Sequence, residues 1–112
     1  MTIKMKISKL SLEEILSIVE PIMENCLEGS NEGDHEKHVR DFTDRMKNIV
    51  TPEELQRQLS AKPSTYFTDR QFLNVFRRRD SVGIVWKQSI SSCDDELINQ
   101  AIFKEVEGKI LI

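Results

Sequence analysis

The sequence predicts an α+β domain in which N-terminal helices pack on one face of a curved antiparallel sheet. Three observations carry this. Two helix-start signals, "SLEE" at Ser11–Glu14 and "TPEE" at Thr51–Glu54, fall in the first half. From Tyr66 onward the chain turns to β-branched and aromatic residues with period-2 alternation. Glu107-Gly108 near the end reads as a tight turn between strands. Helices first and a meander after them is the order of an α+β domain with segregated layers.

In "SLEE" the Ser11 hydroxyl can take the amide of the third helical residue while Glu14 reaches back to the Ser11 amide, so a helix should begin at Leu12. Ile15, Leu16, Val19, Ile22, Met23, Cys26 and Leu27 recur at spacings of three and four, one buried stripe, and Gly29 or Gly33 supplies a left-handed stop. Pro21 inside that stripe lacks an amide and predicts a kink.

The stretch "GSNEGDHEKHVRDFTDRM", residues 29–46, reads as the start of a second helix capped by Asp34. Val39, Phe42, Met46, Ile49 and Val50 form its stripe, with a break expected near Thr43, and Glu36–Arg40 and Asp41–Arg45 are i,i+4 pairs on its wet face. "TPEE", with Pro52 at the first helical position, starts a third helix that turns Leu55 and Leu59 inward and ends before Pro63.

"QFLNVFRRR" and "SVGIVWKQSI" are separated by Asp80, "DELINQAIFKEVE" follows a polar loop at 91–95, and "KILI" follows the Glu107-Gly108 turn. In the middle strand Val82, Ile84, Trp86 and Ile90 share one face, interrupted only by Gln88, while Gly83, Val85, Lys87 and Ser89 share the other. The Trp86 face is expected to pack on the helices. The opposite face, with Val75 or Leu73 beside Val85, is left for a partner.

At 112 residues the chain makes one domain over 1–112, with residues 1–10 as an N-terminal arm. A chain of that size buries roughly 65% of its unfolded surface, so its core needs no metal or disulfide. Sixteen Lys plus Arg against 19 Asp plus Glu give a net charge of -3, which offers a phosphate backbone no overall attraction, so no nucleic-acid partner is expected. Cys26 and Cys93 form no CxxC motif and suit reduced thiols in a cytoplasm. Glu13, Glu14 and Glu20 interrupt the early apolar residues before an h-region could form, and no run is long enough to span a bilayer, so no membrane partner is expected.

His35 and His38 stand at i,i+3 rather than the i,i+4 of HExxH, with no further ligand spaced to complete a tetrahedral site, so no metal and no cofactor is expected. His38 beside the Val39–Phe42 stripe, with Asp41, is the candidate base, and Tyr66 the candidate donor to an oxyanion. Trp86, Gln88, Tyr66 and Phe42 are the candidate ligand-binding residues. Trp86 also reads as a core anchor, and Gln88, with Asn74 or Gln100, as an orienting amide. Arg77, Arg78 and Arg79 read as a solvated hairpin end. Cys93 beside Asp94 and Asp95 is disfavoured as a nucleophile, because neighbouring negative charge raises a thiol pKa. Asp94-Asp95-Glu96 lacks the spacing of a calcium loop.

"NEGDHEKHVRDFTDRMK" (31–47) followed by "FLNVFRRRDSVGIVWK" (72–87) resembles small members of the nuclear transport factor 2-like superfamily, through the N-x-G-D turn, the aromatic Phe42 and a strand ending on Trp86 and Lys87. The resemblance spans residues 10–112. It implies a cone-like cavity between helices and sheet, and a homodimer formed through the sheet. Relatives include ketosteroid isomerase, polyketide cyclases and dehydratases, and members without known activity. "KILI" gives a shorter last strand than such relatives carry, which leaves closure of the cone open. The middle strand's Trp86 face carries no Asp, Glu or His, so the expectation is a non-enzymatic dimerising or small-apolar-ligand domain. The alternative is a small isomerase, cyclase or hydratase using His38 or Asp41 as base.

Overall fold

A computed structural model describes residues 6–112 and shows the expected α+β order. Residues 1–5 of the expected arm lie outside the described residues. A 3-10 turn at Ile7–Lys9 precedes helices α1 (Leu12–Glu32), α2 (His35–His38), α3 (Asp44–Ile49) and α4 (Pro52–Ala61). Strands β1 (Phe67–Arg77), β2 (Ser81–Ile90), β3 (Cys93–Val106) and β4 (Lys109–Leu111) then form one antiparallel sheet in sequence order.

The capping box at the head of α1 is complete: Glu14 N donates to Ser11 Oγ and Ser11 N to Glu14 Oε1, each at 3.1 Å. Gly33, at φ 69°, makes the left-handed stop, and the helix continues through Pro21 to reach it. Gly29 has a different task. A Cβ placed there would stand 2.4 Å from the His38 amide nitrogen, so the α2 backbone lies directly against α1.

The expected second helix divides. Asp34 caps four residues, the chain turns through Val39–Phe42, and Thr43 caps α3 by accepting from Met46 N at 3.3 Å. The stripe spacing was right for Val39 and Phe42, which are buried, and wrong for Ile49, which is 55% exposed. With the helix broken, Arg40 binds its neighbour Asp41 at 2.8 Å, and Lys37 reaches Glu28 and Glu32 on α1, in place of the i,i+4 pairs Glu36–Arg40 and Asp41–Arg45. At α4 only half the predicted box forms. Thr51 accepts from Glu54 N at 3.2 Å, but the Glu54 carboxylate turns forward to Arg57 and Gln58, whose hydrogen bonds hold it down at about 2.

The Trp86 face of β2 packs on the helices. Ile15, Val19, Met23 and Cys26 of α1 meet Val82, Ile84 and Trp86, with Phe103 of β3 edge-on to Trp86 at 6.2 Å between ring centres. Register shifts at 67–70, 72–74 and 88–90 bend the sheet around this core. The shift beside Leu73 also decides the faces of β1: Val75 pairs with Ile84 and packs inward, while Asn74 pairs with Val85 and Leu73 is 51% exposed. β3 starts at Cys93, so the expected loop at 91–95 shrinks to a two-residue turn.

Two long-range ties close the ends of the sheet. Arg77 Nη1 donates to the carbonyls of Ser8 and Leu10 at 2.9 and 2.6 Å, which makes Arg77 a clamp on the N-terminal turn rather than part of a solvated hairpin end. At the other terminus Ile112 N donates to Asp41 O and Thr43 N to Ile112 O, fastening the chain end to the segment between α2 and α3.

Candidate functional site

Trp86 is fully buried, and its indole N–H finds an acceptor that the middle strand does not carry. Nε1 donates to Glu20 Oε2 of α1 at 2.9 Å. Arg70 of β1 holds the same carboxylate through Nε and Nη2, at 2.9 and 2.7 Å from Oε1, and its Nη1 reaches Glu24 at 2.6 Å. The guanidinium also lies 5.9 Å from the centre of the Trp86 ring. Glu20 and Glu24 are one helical turn apart, so both face the sheet across one Arg. This cluster went unread in the sequence, although Glu20 and Glu24 flanking the α1 stripe was its signal. The carboxylate is locked between two donors, which suits it to hold the helix on the sheet and leaves it poorly placed to take a proton from a ligand.

One step along the same inner face, Gln88 is 1% exposed and fully engaged. Its Nε2 donates to the Asp69 and Ser89 carbonyls and its Oε1 accepts from Asn99 Nδ2 at 3.2 Å. Asn99, not Asn74 or Gln100, is the second inner amide, because Asn99 pairs with Trp86 whereas Asn74 and Gln100 both pair with Val85 on the outer face. Leu27, Phe67, Gln88, Leu97 and Asn99, together with Ile98 and the candidate amide Gln100, border an open cleft of about 260 Å3.

The remaining candidates have separate partners. His38 Nδ1 donates to the Cys26 carbonyl at 2.7 Å and its ring lies edge-on to Phe42 at 5.3 Å. Asp41 binds Arg40. Tyr66 is 48% exposed, and its backbone is tied to Ser91. Phe42 is buried in the core beside Val39, and Trp86 is sealed inside it, so of the four candidate ligand-binding residues only Gln88 borders the cleft. His35 Nε2 donates to the Val50 carbonyl at 2.7 Å, and the described residues contain no cluster of three metal-ligating side chains. Burial, with Asp41 adding to it, pushes the Cys26 thiol up to about 12.

The outer face of the sheet is different in kind. Leu73, Phe76, Ile98 and Ile102 are each about half exposed or more, and Val85 lies among them. Gly83 sits beneath Phe76 and Ile102, where a Cβ would come within 3.3 Å of Ile102 Cδ1. Among the described residues no helix is long and apolar enough to cross a membrane.

The fold and this surface define an α+β domain with a buried apolar core between helices and sheet and apolar side chains exposed on the outer sheet face. The sequence matches no protein-family model and no curated protein.

Proposed function

We propose that the protein is a non-catalytic, cytoplasmic dimerising domain of the nuclear transport factor 2-like kind, joined to a second copy through the outer face of its sheet. The single observation that carries this is the exposed row Leu73, Phe76, Ile98 and Ile102 around Val85, since soluble monomers seldom leave such a contiguous apolar face in water. The engagement of Glu20 by Arg70 and Trp86, and the separate partners of His38, Asp41 and Tyr66, support a scaffold rather than an acid-base site. A small apolar ligand is a second reading, favoured by the cleft beside Gln88. Sedimentation equilibrium at micromolar concentration tests the first. Twice the chain mass of 13.0 kDa is expected, with dissociation in Val85→Asp; a single species at 13.0 kDa would reject it.

A further inference from the structure

The outer face of the sheet is richer in basic groups at one end and in acidic groups at the other, with Glu105 and Glu107 beyond the basic end and Lys87 near the acidic one. At the β1–β2 hairpin end stand Arg78, Arg79 and Lys104, with Asp80 the single acid among the residues lining an open cleft of about 550 Å3 that also includes Ser81 and Ile102. At the other end, Asp69 lies near the start of β1, and Asp94, Asp95 and Glu96 open β3. The cross-strand row Asn74–Val85–Gln100 lies between them on the outer face.

Two sheets packed face to face by a twofold have that axis in the plane between them, and where the strands of the two sheets stay aligned it runs either nearly along the strands or nearly across them. An axis along the strands lays each end on its own copy, so the arginines and Lys104 meet like charges. An axis across the strands lays each end on its opposite.

From these residues we infer that the second copy docks with its strands reversed, about a twofold crossing the sheet along the Asn74–Val85–Gln100 row, so that Lys104 meets the other copy's Glu96. This rests on the sheet-face dimer proposed above and adds its orientation. Counting along β3 shows the self-complementarity. Ile98 and Ile102 lie two residues either side of Gln100 and Lys104 four residues after it, all on the outward face, and Glu96, four residues before it, reaches the outward-facing Lys87. Reversal therefore sets Ile98 on Ile102 and Glu96 on Lys104, twice per dimer. Just past the end of β1, Arg78 lies four residues after Asn74, and Asp69 lies five before it within β1, beside the irregularities at 67–70 and 72–74. Lys87, which reaches Glu96 of its own chain at 3.6 Å, falls over the other copy's Gly83, where Phe76 and Ile102 flank it.

Charge exchange at Lys104 and Glu96 is the test, with circular dichroism confirming that each variant is folded. Lys104→Glu and Glu96→Lys should each raise the dimer dissociation constant about tenfold or more at low salt, because each creates two like-charge contacts. Mixing the two variants should restore wild-type affinity, since every contact in the mixed dimer is then between opposite charges; an internal Lys87–Glu96 effect cannot produce this rescue. A dimer that Val85→Asp dissociates but that neither charge variant weakens, or that mixing does not rescue, overturns the orientation and leaves the sheet-face dimer standing. A wild-type monomer overturns both.

Discussion

Trp86 of β2 and Glu20 of α1 are joined at 2.9 Å, indole N–H to carboxylate, so the largest fully buried side chain ties the helix layer to the centre of the sheet. The bond sits beside an apolar contact surface, so bulk and polarity at Trp86 can be separated by substitution.

Trp86→Ala should destabilise the fold by about 3 to 5 kcal/mol through the cavity it leaves, a large share of the total for a domain of this size. Trp86→Phe keeps most of the ring and removes the donor, so its cost should be smaller, about 1 to 3 kcal/mol. Urea denaturation followed by far-UV circular dichroism measures both. Equal losses in the two variants would show that the indole N–H, not the packing, dominates.

Gly29→Ala adds a single methyl group where the α2 backbone already stands 2.4 Å away. Backbone cannot rotate aside as a side chain can, so α2 must lift from α1, at a cost of about 1 to 3 kcal/mol despite alanine's better helix propensity. A Tm equal to or above the wild type would mean that α2 does not rest on α1 as described.

The two thiols should report separately. Cys93 is exposed and Cys26 buried, so a thiol reagent at pH 8 should modify one cysteine per folded chain and two after denaturation. The same burial gives a pH dependence. Cys26 ionises near 9 when unfolded but holds its proton to about 12 when folded, so rising pH favours the unfolded state. Stability should therefore fall from about pH 9 towards 12, less steeply in Cys26→Ala, and identical slopes in the two proteins would contradict the assignment.

Zinc should find no tight site in residues 29–46. His35 Nε2 and His38 Nδ1 are each bonded to a carbonyl, and among the described residues no group of three His, Cys, Asp or Glu side chains comes together to complete a site around the remaining ring nitrogens. Calorimetric titration of untagged protein should show no stoichiometric site tighter than micromolar. One that vanishes in His35→Ala or His38→Ala would reverse this reading.

The sequence by itself determined the α+β order, the start of α1 and of α4, the bounds of β2 and its buried Trp86 face, because caps, turns and period-2 patterns are local and act on residues a few positions apart. Three matters were decided only in the tertiary structure. Whether residues 34–50 form one helix turned on Gly29, whose bare backbone brings α2 onto α1, and on the hydrogen bonds that fasten Asp41 and Thr43 to Ile112. Which residues of β1 face inward turned on a one-residue irregularity at Leu73, since a single extra residue exchanges the two faces of a strand, and β-branched composition is the same on either side of it. The third was the acceptor for Trp86, Glu20, which lies 66 residues away in the chain. A carboxylate on a helix reads as a wet-face residue until the sheet brings an arginine and an indole to it, and that pairing depends on distances that sequence spacing does not encode.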